Sequence, residues 1–72
     1  MSKLLEDYRA ALLAAHPTRN KVMAANRDAR VVVYNALFSR WKADTLTRHF
    51  PAIVDVLNQD LYRTLEECSD AQ

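Results

Sequence analysis

Glycine is absent from this chain of 72 residues, although its average usage of about 7% predicts about five glycines in that length. The absence excludes the phosphate-binding P-loop, the dinucleotide-binding fingerprint and the standard EF-hand loop, since each needs glycine at fixed positions. It also argues against tight β-hairpins, whose primed turns favour glycine where φ is positive. Leucine, alanine and arginine are frequent instead, and they favour helix. The composition therefore predicts an all-α fold.

Cysteine occurs once, at Cys68, so no internal disulfide can form. Cys68 and the two histidines, His16 and His49, lack the spacing of a zinc site, and we expect neither a metal nor a cofactor. Residues 1–72 make one domain, and a domain this small draws only about 3–5 kcal/mol from its core. With disulfides and metals set aside, association with a second chain is the remaining way to add stability.

Long apolar runs are also missing. Glu6 and Asp7 interrupt the first hydrophobic residues, which argues against a signal peptide. No apolar run approaches the roughly 18 residues of a membrane span. We therefore expect a soluble, cytoplasmic protein with Cys68 reduced and no membrane contact.

The stretch from Thr18 to Lys42 is the centre of the predicted fold. It contains neither proline nor glycine and is long enough for a helix of about seven turns. Apolar residues recur along it at the i, i+3, i+4, i+7 spacing of a core-facing helix. The predicted core face consists of Val22, Ala25, Ala29, Val32, Val33, Ala36 and Leu37. The run Val31–Tyr34 contains β-branched residues that favour a strand, but its helix-forming neighbours and the lack of a second strand favour helix.

A second apolar stripe runs along the back of this helix. Val31 and Phe38 point away from the core face, and Tyr34 and Trp41 lie at its edge. Four large apolar side chains in this position are unusual for a surface helix of a monomer. Either the chain covers them itself, with Trp41 closing the end of the bundle, or a second copy does. We predict a twofold homodimer whose interface contains Arg27, Arg30, Val31, Tyr34, Phe38 and Trp41.

Two further helices are predicted, one on each side of the central helix in sequence. The first covers Ser2–Ala15, because Pro17 disfavours helical geometry at His16. The last covers Pro51–Glu67, because the first turn of a helix accepts proline. Their core stripes are Leu4, Leu5, Tyr8, Ala11, Leu12 and Ala15 in the first and Ile53, Val54, Leu57, Leu61, Leu65 and Cys68 in the last. The segment Ala43–Phe50 predicts a short turn or a short fourth helix, so the expected architecture is a small bundle of three main helices.

Positive charge is concentrated in the middle of the chain. Residues 16–49 carry seven Arg or Lys against two Asp, whereas residues 50–72 carry one Arg against five acidic residues. The cations of most interest are Arg19, Lys21, Arg27 and Arg30, none of which has an acidic residue three or four positions further on. Three interpretations of these cations are open: they contact nucleic-acid phosphate, they remain solvated, or they pair with the acidic last helix of the same or a second chain. The pI of about 7.9 and the acidic end argue against DNA.

His16 and His49 are the obvious candidate general bases, but no recognisable nucleophile stands near either of them in the sequence. A catalytic site would need one of these histidines in a pocket with acids. Around Cys68, the acidic residues Glu66, Glu67 and Asp70 oppose formation of a thiolate. We therefore expect no catalytic residue.

The expected function is binding. The favoured interpretation is a regulator, adaptor or inhibitor that forms a homodimer and occupies a site on a larger protein. The alternative is a dimeric DNA-binding transcriptional regulator that uses the basic central segment. Its helix-turn-helix would lie around His16–Asn20 or Ala43–Phe50, although neither turn has the glycine often found there.

Overall fold

The computed structural model describes residues 2–68, which form three α-helices. Helix α1 covers Ser2–Ala15, α2 covers Arg19–Arg40 and α3 covers Ala43–Glu67. Each helix packs on the other two, in a bundle that measures 41 × 18 × 16 Å. No strand occurs within the described residues, and the predicted all-α fold is confirmed. Asp70, one of the acidic residues near Cys68, lies outside the described residues.

Local sequence explains where α1 and α2 begin and end. Helix α1 ends at Ala15 as predicted, just ahead of the proline at position 17. Helix α2 follows almost at once, and Thr18 precedes it in an extended conformation without a side-chain capping hydrogen bond. At its other end, Trp41 leaves helical geometry while its N–H still donates to the carbonyl oxygen of Leu37.

The start of α3 differs from the prediction. Helix α3 begins at Ala43, so the segment 43–50 forms its first turns, and Pro51 lies inside the helix. A proline inside a helix removes the hydrogen bond to the carbonyl four residues earlier, here that of Thr47. Packing offsets this cost, because the ring of Phe50 lies 5.1 Å from that of Tyr34 on α2. A separate fourth helix is therefore not present in the described part of the chain.

The three predicted core stripes meet at the centre of the bundle. Its buried hydrophobic side chains are Tyr8, Leu12, Val22, Val33, Leu37, Leu57 and Leu61. Val32 was assigned to the core face, and this was wrong, because its side chain is 61% exposed. Successive residues of a helix point about 100° apart, so α2 turns Val33 into the core and Val32 onto the edge of the shallow groove between α1 and α2.

Two polar residues share the buried side of α3. Asp60 is only 6% exposed, and it forms an ion pair at 3.4 Å with Arg9 of α1. Thr64 is also buried, and its hydroxyl donates a 2.8 Å hydrogen bond to the carbonyl oxygen of Asp60. The ion pair therefore connects α3 to α1.

Within residues 2–68, none of the helices combines the length and the hydropathy that crossing a bilayer requires.

Candidate interaction surface

Two apolar side chains of α2 face solvent on the side where the start of α3 lies. Val31 is 53% exposed and Phe38 is 59% exposed. A surface groove of about 320 Å³ lies beside Phe38, lined also by Leu46, Thr47, Phe50 and Pro51. We call Val31, Phe38 and the lining of this groove the outer face. Because its second wall is the part of α3 before and at Pro51, the groove depends on the unpredicted start of that helix.

The other two members of the predicted back stripe pack within the chain. Tyr34 is half-buried, with its ring 5.1 Å from that of Phe50. Trp41 is also half-buried, and its indole meets the imidazole of His49 edge-on at 5.5 Å. The stripe therefore divides into two residues that cover the α2–α3 contact and two that remain exposed.

Arg27 and Arg30, which were predicted to flank the interface, have different surroundings. Arg27 is exposed and lies 3.6 Å from the carboxylate of Asp28, which is itself exposed. Such a pair contributes little to stability, because solvent screens both charges. Arg30 is half-buried, and its guanidinium group donates hydrogen bonds to Asn26 at 2.7 Å and to Asn58 at 2.6 Å.

Tyr8 completes a polar network around Arg30. Its hydroxyl donates to the side-chain oxygen of Asn26 and lies 3.2 Å from the carbonyl oxygen of Leu57. The guanidinium carbon of Arg30 lies 5.8 Å from the centre of the Tyr8 ring, within cation–π range. Arg30 also donates a 3.4 Å hydrogen bond to the hydroxyl of Tyr34. The network links all three helices.

The network also shifts two pKa values. Burial raises the pKa of Tyr8, and the hydrogen bond and positive charge of Arg30 counter that rise only in part. Desolvation by itself would lower the pKa of Arg30, but its hydrogen bonds to Tyr8 and Tyr34 outweigh this, and the net shift is upward. Arg30 is therefore held as a charged structural group.

The turn between α1 and α2 lies against the end of α3. The Nε2 atom of His16 is 3.0 Å from the carbonyl oxygen of Glu67, and Arg19 donates a 3.1 Å hydrogen bond to that of Leu65. The last carbonyls of a helix have no partner inside it, and basic side chains stabilise them. Of the four cations considered for phosphate contact, Arg30 is thus half-buried in the fold and Arg19 bonds to the end of α3 at the surface. Lys21 and Arg27 are exposed as Arg19 is, but within the described residues neither bonds to another helix.

The two histidines lie near opposite ends of α2. His16 belongs to the turn before this helix, and His49 contacts Trp41 just after it. A helix of 22 residues is about 33 Å long. The chain thus places its two candidate bases, His16 and His49, far from each other.

Cys68 is half-buried and its thiol lies 3.3 Å from the carbonyl oxygen of Thr64.

Metal-ligating side chains are not clustered either. The described residues contain no group of three or more His, Cys, Asp or Glu side chains placed to hold a metal ion. No protein-family model, curated protein or solved structure matches this chain. Its function must therefore be inferred from its own surfaces, of which the outer face presents Val31 and Phe38 to solvent.

Proposed function

We propose that this protein acts by binding, without catalysing a reaction. It forms a homodimer through its outer face and occupies a site on a larger protein, as a regulator, adaptor or inhibitor. The observation that carries the proposal is the exposure of Val31 and Phe38, two apolar side chains on one side of α2. Exposed apolar side chains beside an apolar groove are typical of protein–protein contact sites.

A second copy suits the outer face because this face is complementary to itself. Phe38 projects from it, and the groove beside Phe38 has a volume of about 320 Å³, which has room for an aromatic ring. In a twofold dimer, Phe38 of each chain enters the groove of the other chain next to Pro51. The exchange buries both rings. It adds apolar contact between the chains, which supplements a core that is small for an independent domain.

The proposed interface is smaller than the one expected from the sequence. Arg30, Tyr34 and Trp41 make contacts within the chain and are assigned to its internal packing. Arg27 remains at the edge of the interface, where its screened pair with Asp28 leaves it able to meet a carboxylate of the second chain.

A role in binding agrees with the positions of the histidines. His16 bonds to the end of α3 and His49 packs on Trp41, so each histidine has a structural contact. The separation along α2 keeps these two candidate bases out of a common site, and general acid–base catalysis requires its groups within hydrogen-bond reach of one substrate.

The DNA-binding alternative has less support. Arg30 is engaged inside the fold, and the exposed Arg19 bonds to the end of α3, which leaves Lys21 and Arg27 of the four cations on which it depended. Few phosphate contacts imply weak binding with a shallow salt dependence. Firm retention on nonspecific DNA that weakens steeply between low and physiological salt would favour the alternative over the proposal.

The test of the proposal is the mass in solution. Multi-angle light scattering at high micromolar concentration should give twice the chain mass of 8.3 kDa. Val31→Asp and Phe38→Asp should each reduce it to one chain, because each buries an unpaired charge in the interface. Leu13→Asp is the matched control, because Leu13 lies on α1, is 53% exposed and is not part of the outer face. A wild-type chain that runs as a monomer would contradict the dimer and assign the outer face to the larger partner.

A further inference from the structure

A further apolar concavity lies where α1 begins and α2 ends. It has a volume of about 350 Å³ and is open to solvent. Its apolar walls are Leu4 and Leu5 of α1, Val33, Leu37 and Trp41 of α2, and Ile53 of α3. We call it the end groove, and it shares no residue with the outer face. Its size falls at the lower end of small-molecule sites, which span about 300–1,000 Å³ and are mostly apolar.

One charged residue lines the end groove. Arg40 lies in the last turn of α2 and is exposed. Among residues 2–68 it has no hydrogen-bonding or ion-pair partner, unlike Arg9, Arg19 and Arg30. A guanidinium group offers a planar fork of donors that matches both oxygens of a carboxylate. The mouth of the groove thus has one cation suited to an anionic head group.

The start of α1 adds to this positive field. Leu4 and Leu5 line the groove from the first turn of this helix, which carries no acidic residue. The first N–H groups of a helix have no partner inside it, and they give that end a partial positive charge. Lys3 in the same turn forms only an exposed ion pair with Asp7, at 3.6 Å. The apolar walls and the positive mouth together suit a ligand that has an apolar body and an anionic head group.

We propose that the end groove binds a small single-chain carboxylate, with its alkyl chain against the apolar walls and its carboxylate on Arg40. One cation beside an apolar volume of about 350 Å³ matches the single head group and single alkyl chain of such a ligand, whereas a partner helix is recognised through a row of apolar anchors along its length. A medium-length alkyl chain needs no more than the volume present.

The experiment uses Trp41, the only tryptophan in the chain, as a reporter on the groove wall. Decanoate is titrated into the full chain below its micelle concentration, alongside decanol and decyltrimethylammonium as probes with the same chain and other head groups. We expect a saturable blue shift of Trp41 emission that is strongest with decanoate and weakest with the cation. Equal binding of the three probes, or no saturable shift with decanoate, would overturn the proposal.

Two arginine variants separate the head-group contact from a general charge effect. Arg40→Gln should weaken decanoate binding about tenfold, which corresponds to loss of one charge-assisted hydrogen bond, and should leave decanol binding little changed. Arg48→Gln removes an exposed cation that does not line the groove, and it should bind decanoate as the wild type does. Equal loss in the two variants would contradict a role for Arg40.

Methyl chemical shifts locate the bound chain without any substitution. Decanoate should move the methyl signals of Leu5 and Ile53 in the end groove and leave those of Val31 on the outer face in place. Shifts confined to Val31 would place the alkyl chain on the outer face instead. A decanoate affinity that falls as protein concentration rises would show that a second copy covers the end groove. Either result would overturn the proposal, and the dimer is tested separately by its mass.

Discussion

The guanidinium group of Arg30 on α2 lies 2.6 Å from the side-chain oxygen of Asn58 on α3, 28 positions away. With Tyr8 on α1 in the same network, one cation connects the three helices. No buried side-chain nitrogen or oxygen among the described residues lacks a partner. A satisfied network of this kind favours the observed arrangement of the helices, because polar groups that lose their partners away from water are costly.

Removing this cation should therefore destabilise the fold. Arg30→Met keeps an unbranched side chain, but Asn58 loses the donor that Arg30 supplied, and Asn26 keeps only the hydroxyl of Tyr8. We expect the free energy of unfolding to fall by about 1–3 kcal/mol, the cost of removing a hydrogen-bonded partner from half-buried polar groups. Arg27→Met on the same helix is the control, and it should change stability by less than about 0.5 kcal/mol because Arg27 is exposed. Urea unfolding followed by circular dichroism measures both, and equal losses would contradict a structural role for Arg30.

Tyr8 should make stability depend on alkaline pH. Burial raises its pKa above the ordinary value of 10.0, so the folded chain holds the phenol proton more tightly than the unfolded chain does. This contribution is complete below the unfolded pKa and is lost as the pH rises through the folded pKa. We expect the wild-type Tm to fall from about pH 9 to about pH 11, and Tyr8→Phe to lose less over that interval.

The exposed Tyr62 supplies the comparison for this titration. Tyr62→Phe keeps the buried phenol and should show the full wild-type fall in Tm. All groups other than these two tyrosines are common to both variants, so the difference in Tm between the two variants reports on Tyr8. Parallel curves would mean that Tyr8 ionises at the same pH in the folded and unfolded chains.

Sequence pattern was sufficient for what depends on local spacing. Leu57 and Leu61 were predicted to be buried because they continue a helical stripe, and both are. The same stripe also contains a polar signal. Asp60 and Thr64 follow Leu57 at the core-facing i+3 and i+7 positions, which places two polar groups among buried neighbours. Nothing in the sequence named Arg9 as the partner of Asp60, because the two are 51 positions apart.

Local rules were insufficient where tertiary packing outweighs them. The tolerance for proline in a first turn suggested a helix start at Pro51, but the contact of Phe50 with Tyr34 stabilises a helix that continues through it. The division of the back stripe also depends on this longer α3, which covers Tyr34 and leaves Phe38 exposed. The spacing of residues predicts neither the continuation of α3 through Pro51 nor the division of the back stripe, since each depends on where α3 lies against α2.

The difference between a buried and an exposed stripe position gives a direct test of the core. Leu57→Ala should lower the free energy of unfolding by about 2–5 kcal/mol, because it leaves a cavity at the centre of the bundle. Val32→Ala should cost less than about 1 kcal/mol, since Val32 lies mostly in solvent. Thermal unfolding of the two variants measures the contrast. A large loss for Val32→Ala at high protein concentration only would indicate that a second chain covers this position.

The twofold dimer makes a demanding prediction about charge. If Phe38 lies close to its own copy, then Phe38→Asp and Phe38→Lys should each run as single chains, because like charges meet across the axis. Mixed in equal amounts, the two variants should recover part of the two-chain mass, because opposite charges then meet. The recovery should weaken in high salt, which screens exposed charges, and should be incomplete, because an ion pair replaces two packed rings. Light scattering of each variant and of the mixture, at low and at high salt, measures these masses. A mixture that stays monomeric, next to a dimeric wild type, would place Phe38 away from the axis. A monomeric wild type would remove the second copy altogether and leave the outer face to the larger partner.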